Sequence, residues 1–313
     1  MKKFIKKLFL FVVLVLLICS CVISVTFGIA APQFSGVYTG SFVDKINRLN
    51  SINEPKIILV GNSNLAFGID SKKIEQAFGM PVVNLGGHGG LGEEFHLNMA
   101  KCNINKGDIV ICVPTQYENS GNLDPDLAWI TIENHDLFHL IPKSDQFTML
   151  KRLPRYAIKT ISLWLKKEGN KDSGSAYSRS AVNKYGDVAF PRTENTYIFK
   201  EGSITVPCIS DDFVSMLNEF NIYCKENGAV CLLASMPLAY GEFTPPAKEY
   251  IEIQKELSDE LDFDVISNFT DYLIEYEYFC DTVYHLNDKG VQIRTDLLIN
   301  DINRWNKDVD FIK

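Results

Sequence analysis

Apolar residues along the chain fall into short runs separated by polar turns, and their spacing changes from run to run. Ile57 to Val60 is an unbroken apolar run, ended by Gly61. A run of that length bounded by turn residues reads as a buried strand. Asp70 and Ser71 then offer helix caps, and Ile74, Ala77 and Phe78 share one helical face. Pro81 to Leu85 repeats the strand pattern, and Leu91, Phe95, Met99 and Cys102 repeat the helical one. Ile109 to Val113 is a third strand. The βαβαβ alternation predicts a parallel sheet with right-handed crossovers.

The alternation breaks between about residues 120 and 206. Asp145 to Lys167 reads as a helix interrupted at Pro154. Beyond the proline, Ala157, Ile161, Trp164 and Leu165 form an apolar stripe. Lys151, Arg152, Arg155, Lys159, Lys166 and Lys167 make the segment basic. Such a helix packs on its own domain or lies on a membrane surface, and spacing leaves both open. Gly169 to Asn195 is polar and without period, which predicts a long loop that acts as a lid or contacts a glycan. Regular alternation then resumes. Helices are expected over 211–227 and 247–261, and strands over 229–235 and 264–267. A last helix, capped at Asn287 or Asp288, carries Val291, Leu298 and Ile302 on one face.

Charge changes the picture most at the N-terminus. Lys2, Lys3, Lys6 and Lys7 precede an uncharged run from Leu8 to Ala31, long enough to cross a bilayer as a helix. The lysines predict an inside N-terminus and an extracytoplasmic remainder. The expectation is a single-pass signal anchor over 1–31, a polar connector over 32–53, and one α/β domain over 54–313 with its insertion near 120–206. Cleavage near Ala30, or lipidation of Cys21 in Ile18-Cys19-Ser20-Cys21, are the alternatives. The chain carries a net charge of −8, which argues against a nucleic-acid binder. Its cysteines beyond residue 31 form no CxxC pair and no Cys/His cluster. His135 and His139 lack the acid of an HExxH motif, so neither metal nor cofactor is expected.

The candidate chemistry centres on Ser63, two residues past the end of the first strand. Open α/β sheets bind ligands at the carboxyl ends of their strands. A serine hydroxyl needs a base, and the base needs an acid to fix its tautomer. His285 and Asp281, just before the last helix, supply those two types. Oxyanion donors would come from the Ser63 amide, the amides of Gly86 or Gly87, and the side chains of Gln116 or Asn119. His88, within the glycine-rich stretch 86–92, is a candidate for substrate contact.

Three blocks carry a family resemblance. Gly61-Asn62-Ser63-Asn64-Leu65 resembles the first block of the SGNH (GDSL-type) hydrolases, Asn84-Leu85-Gly86 their second, and Asp281 with His285 their last. The order Ser, Gly, Asp, His matches. The chain departs from the pattern at Asn62, which replaces an Asp. The Gly-x-Asn-Asp block is missing, and the acid stands four residues before the histidine rather than three. Asp288 and Glu118 are the alternative orienting acids. With its N-terminal helix the chain is most similar to bacterial acyl-transfer proteins of the teichoic-acid D-alanylation and alginate O-acetylation type. The resemblance implies a three-layer flavodoxin-like fold with helices on both faces of the sheet and an acyl-Ser63 intermediate. It also implies action on a cell-surface glycan or teichoic-acid-like polymer, in some relatives beside a membrane-bound O-acyltransferase. A catalytically silent scaffold with the same fold is the alternative.

Overall fold

A four-stranded parallel sheet in the order β2-β1-β3-β4 carries the site. The structure is a computed structural model and describes residues 1–117, 123–133 and 135–312. Helix α1 (Lys2–Val25) continues as a π-helical turn through Ala30 and is apolar and long enough to cross a membrane. Helix α2 (Phe42–Ser51) precedes β1 (Ile57–Gly61), the short α3 (Ser63–Ala66) and α4 (Ser71–Phe78). Strand β2 (Val82–Asn84), α5 (Glu93–Ala100) and β3 (Ile109–Val113) follow. The insertion holds α6 (Pro125–Thr131) and α7 (Gln146–Lys166). The chain returns through α8 (Asp211–Glu226), β4 (Val230–Leu233), β5 (Leu238–Tyr240), α9 (Ala247–Glu260), β6 (Leu273–Glu275) and α10 (Asp288–Val309).

The branched runs read as strands are strands because both faces of the sheet are covered. Every residue of β1 and β3 is buried, the condition under which strands lose their polar alternation. Register pairs Ile57 with Val82 and Ile109, and Gly61 with Val113. The first crossover runs one way along the sheet and the later ones run the other. Right-handed connections therefore put α4 on one face and α5 and α8 on the opposite face. Helix α10 packs beside α4, where Lys73 Nζ and the Asp296 carboxylate lie 2.6 Å apart and Thr295 Oγ1 accepts the Asp70 amide. Asp70 caps α4 through the Lys73 amide, and Asn287 caps α10 through the Gly290 amide. Of the two predicted caps for the last helix, Asn287 is the one used.

Four sequence expectations change. Residues 32–53 are not a bare connector: Tyr38, Phe42, Ile46 and Leu49 are core residues on a 3-10 turn and α2. The segment looked polar because only one face of α2 is apolar. Helix α7 runs through Pro154 without a break. Leu150 and Pro154 both face solvent, so water can serve the carbonyl that the proline leaves unpaired. The strand expected at 264–267 shrinks to one parallel bridge between Val265 and Leu233 at the far edge of β4. The small parallel pair β5–β6 was not expected at all.

At the amino ends of the strands, Lys56 and Asp108 form a fully buried ion pair of 2.8 Å. The same carboxylate also accepts the Lys56 and Asn105 amides. Removing one member of a buried pair strands the other charge. Asp108→Ala is therefore expected to lower unfolding free energy by about 3–5 kcal/mol in a urea titration. A loss within the range of ordinary surface substitutions, about 0.5 kcal/mol, would contradict this assignment.

Candidate active site

Ser63 stands at the first position of α3, just past the carboxyl end of β1. The turn is shaped by two asparagines. Asn62 Oδ1 accepts both the backbone amide and the side-chain amide of Asn64. That fixes the Asn62 side chain so that its Nδ2 donates to Thr115 Oγ1 at the end of β3. Asn64 Nδ2 donates to the Val113 carbonyl, 3.2 Å away. Asn62, which stands where the resembling family has Asp, is thus the helix cap and a strand-to-strand tie. Among the described residues the Ser63 amide has no hydrogen-bond partner, as an oxyanion donor requires.

Buried Arg294 on α10 grips this turn from below. It donates to the Asn64 carbonyl at 2.5 Å and to Asn64 Oδ1 at 2.7 Å. Burial lowers its pKa to about 9. Arg192, also buried, donates to the Phe67 carbonyl at 3.2 Å and to the Leu286 carbonyl at 3.0 Å. One guanidinium therefore bridges the serine turn and the histidine loop.

His285 and Asp281 meet despite their four-residue separation. The loop closes through the Cys280 amide on the His285 carbonyl, and Thr282 Oγ1 accepts the His285 amide. His285 Nδ1 lies 2.9 Å from Asp281 Oδ1. The imidazole stacks on Phe67, with centroids 4.2 Å apart and planes 11° apart. Phe67 closes the turn that begins at Ser63, its amide bonded to the Ser63 carbonyl. The imidazole is thereby held against the helix that carries the serine. Ser63 and His285 share no hydrogen bond, and among the described residues His285 Nε2 has no partner. Such bonds are often long before substrate binds.

Tyr177 completes the constellation, and sequence reasoning missed it. Its hydroxyl donates to Asp281 Oδ2 at 2.5 Å and lies 3.2 Å from His285 Nδ1. Burial pushes the Asp281 carboxyl upward. The bonds from His285 and Tyr177 and the His285 charge outweigh it, so its pKa falls below the ordinary value. The 169–195 segment is thus not merely a covering loop; it supplies a side chain to the Asp281–His285 pair. Of the alternative acids, Asp288 accepts the Arg192 amide and does not orient the imidazole.

The glycine stretch has a different role from the one expected. The Gly86 amide donates to Asn84 Oδ1 and the Gly87 amide to the Gly61 carbonyl, so neither is free for an oxyanion. A Cβ on Gly86 would come within 2.5 Å of the Ala66 amide nitrogen. The glycine is there to let two backbones touch. Its carbonyl is held by Lys45 Nζ at 2.6 Å and the Tyr38 hydroxyl at 3.0 Å. His88 is exposed, and its Nδ1 accepts the Gly90 amide. Partial desolvation and the neighbouring imidazoles of His96 and His285 push the His88 pKa down, against the pull of Asp124.

Gln116 is exposed and lines a cavity of about 220 Å³ with Thr115, Thr205, Pro207, Val283 and Tyr284. Thr115 is the partner of Asn62, and Tyr284 precedes His285, so this cavity adjoins the site. Asn119 and Glu118 lie outside the described residues. A larger cleft of about 530 Å³, where Cys102 Sγ meets His139 Nε2 at 3.5 Å, shares no lining residue with the site. Among the described residues no group of three His, Cys, Asp or Glu is arranged to hold a metal ion.

Compared with protein-family models, curated proteins and solved structures, the chain matches none.

Lys45 gives the site a measurable pH signature. Burial lowers its pKa to about 7, against the opposing charge of Asp187. An unfolded lysine titrates near about 10.4, so between these values the unfolded chain binds the extra proton. Stability then rises with pH, by about 2 kcal/mol from pH 7 to 9. Lys45→Met is expected to flatten that rise in urea midpoints measured at the two pH values. An unchanged slope would mean that Lys45 is not the group responsible.

Proposed function

We propose that the chain is a membrane-anchored serine esterase or O-acyltransferase that works on acyl esters of a cell-surface polysaccharide, outside the cytoplasmic membrane. The observation that carries this reading is the Asp281–His285 pair stacked on Phe67, the residue that closes the Ser63 turn. Three further features support it. The β2-β1-β3-β4 order, extended by the Val265 bridge, matches the 2-1-3-4-5 order of a flavodoxin-like sheet. The serine lies at the carboxyl edge of that sheet, where ligands bind in open α/β folds. The neighbouring cavity is small, which suits a short acyl group.

In this reading Ser63 Oγ attacks the ester carbonyl while His285 Nε2 takes its proton. Asp281 and Tyr177 hold the Nδ1 side of the ring, so the imidazolium forms in one orientation. The Ser63 amide and the second N–H of Asn62 Nδ2 face the developing oxyanion. The alkoxide leaves with the proton from His285. Water or a sugar hydroxyl then releases the acyl group from Ser63, giving hydrolysis or transfer. The polymer would be a surface glycan or a teichoic-acid-like chain, and a membrane-bound O-acyltransferase is the proposed donor-side partner.

A second reading, a scaffold that keeps the fold without turnover, draws on one observation: Ser63 and His285 share no hydrogen bond. Acetyl-ester hydrolysis by the full chain in detergent separates the two. Ser63→Ala is expected to lose at least about 10³-fold in kcat/KM. Equal rates for variant and wild type would leave only the scaffold. Tyr177→Phe removes one hydrogen bond to Asp281, so kcat is expected to fall about tenfold with KM little changed. The carboxyl titration profile of Asp281, followed by NMR, is also expected to shift upward, because Asp281 loses a donor that favours its ionised form. An unshifted profile would make Tyr177 a packing residue only.

A further inference from the structure

We propose that α7 lies in the headgroup region of the membrane that α1 enters, with its outward face against anionic lipid. The proposal rests on the reading of α1 as a membrane anchor, and it adds a second contact that fixes the domain on the bilayer.

The outward face of α7 is apolar along its whole length. Phe147, Leu150, Pro154, Ile158 and Leu165 recur at intervals of three, four and seven residues and share one side of the helix. Phe147, Leu150, Ile158 and Leu165 are between 57% and 72% exposed. The opposite side, with Met149, Tyr156, Ala157 and Thr160, is buried against the domain. A two-faced helix of this kind with an exposed outer stripe is what an interfacial helix presents to lipid.

Charge selects lipid over a generic apolar partner. The chain as a whole is at −8, yet α7 carries five basic residues and no acidic one. Lys151, Arg155, Lys159 and Lys166 follow the apolar positions Leu150, Pro154, Ile158 and Leu165 by one residue, forming a basic row beside the stripe. Two of these are already engaged, Arg155 with Asp126 at 3.0 Å and Lys159 over the Phe34 ring. Lys151 stands over Phe147, so its charge lies directly beside the stripe. Arg152, Lys166 and Lys167 make no ion pair among the described residues. Trp164, 40% exposed near the end of the helix, is of the type enriched at membrane interfaces.

Position supports the same occupant. The uncharged run of 24 residues from Leu8 to Ala31 would span about 36 Å as a helix, against a hydrocarbon core of about 30 Å. Its last residues therefore reach the interface. Those are the residues α7 touches: Phe27 stacks on Tyr156 of α7, with ring centroids 5.8 Å apart. Tyr156 lies on the side of α7 opposite the stripe, so this contact sets α7 beside the end of the anchor with the stripe turned away from the domain.

The test uses the full chain reconstituted into phosphatidylglycerol vesicles with brominated acyl chains. Trp129 and Trp305 are buried, and subtracting the Trp164→Phe spectrum isolates Trp164 emission. The proposal expects Trp164 to be quenched by brominated lipid and shielded from acrylamide. In phosphatidylcholine that quenching is expected to weaken. In the Ile158→Glu/Leu165→Glu variant it is expected to be lost while the protein stays in the membrane pellet after alkaline carbonate. Trp164 open to acrylamide and untouched by brominated lipid would overturn the proposal. Shielding from both would overturn it too, in favour of a protein partner or a second copy on this face. Equal quenching in both lipids would overturn the anionic preference. Release of the wild-type chain by carbonate would overturn the anchor reading, a result read from the pellet and not from Trp164.

Discussion

Two buried guanidinium groups hold the candidate site together. Arg192 and Arg294 are both nearly inaccessible, and neither forms an ion pair among the described residues. Burying a cation without a carboxylate is costly unless its donors are satisfied. Here the acceptors are mostly backbone carbonyls, on Phe67, Val188 and Leu286 for Arg192 and on Asn64 for Arg294. That choice makes each arginine a clamp on chain path. The carbonyls belong to segments far apart in sequence: the serine turn, the insertion and the loop before α10. Those segments must converge for the charges to be tolerated, and their convergence brings His285 onto Phe67. Desolvation lowers both arginine pKa values, an indication of how much these contacts must offset.

A second layer of buried polar groups holds the glycine stretch against the serine turn. Asn84 accepts the Gly86 amide and donates to the Leu65 carbonyl and to Asp187. Lys45 and Tyr38 take the Gly86 carbonyl from the other side. Asp187, pushed upward by burial, is satisfied by Ser71 and Asn84. These groups fix the glycine stretch and the Leu65 carbonyl of the serine turn against each other.

The sheet was legible in the sequence because its signals are local. Ile57–Val60 and Ile109–Val113 are short branched runs with turn residues at their ends, and no tertiary knowledge is needed to read them. Ser63, Asp281 and His285 were singled out because a serine after a strand and an acid–histidine pair before a helix are recognisable types in recognisable places. Tyr177 was not found, since a tyrosine in a polar stretch gives no periodic signal, and its partners lie more than a hundred residues away. The glycines were read as amide donors because spacing cannot reveal that Asn84 and Gly61 already occupy those amides. Residues 32–53 were read as a connector for a related reason. Helix α2 is amphipathic but short, and its burial depends on β2 and α5, which come later in the chain.

That segment also couples the N-terminal helix to the candidate site. Immediately after Ala30 the amides of Gln33 and Phe34 are taken by the buried Glu133 carboxylate. Ser35 and Gln33 bond to Asn170, and the Asp44 carboxylate pairs with Arg179 at 2.6 Å. Val37 bridges to Ser178, and the Tyr38 amide donates to the Tyr177 carbonyl. The chain leaving α1 is therefore sewn along the insertion up to the residue whose hydroxyl holds Asp281. A flexible tether would let the domain roam above an anchoring surface. This one fixes its orientation relative to α1 and uses the same residues to hold Tyr177 against Asp281 and His285. Under the proposed anchoring and the proposed function, a polymer substrate must come to a site held at one height and one angle. Removing the residues just after α1 would then disturb Tyr177 as well as location, so loss of activity in a truncated chain would not by itself be a loss of membrane attachment.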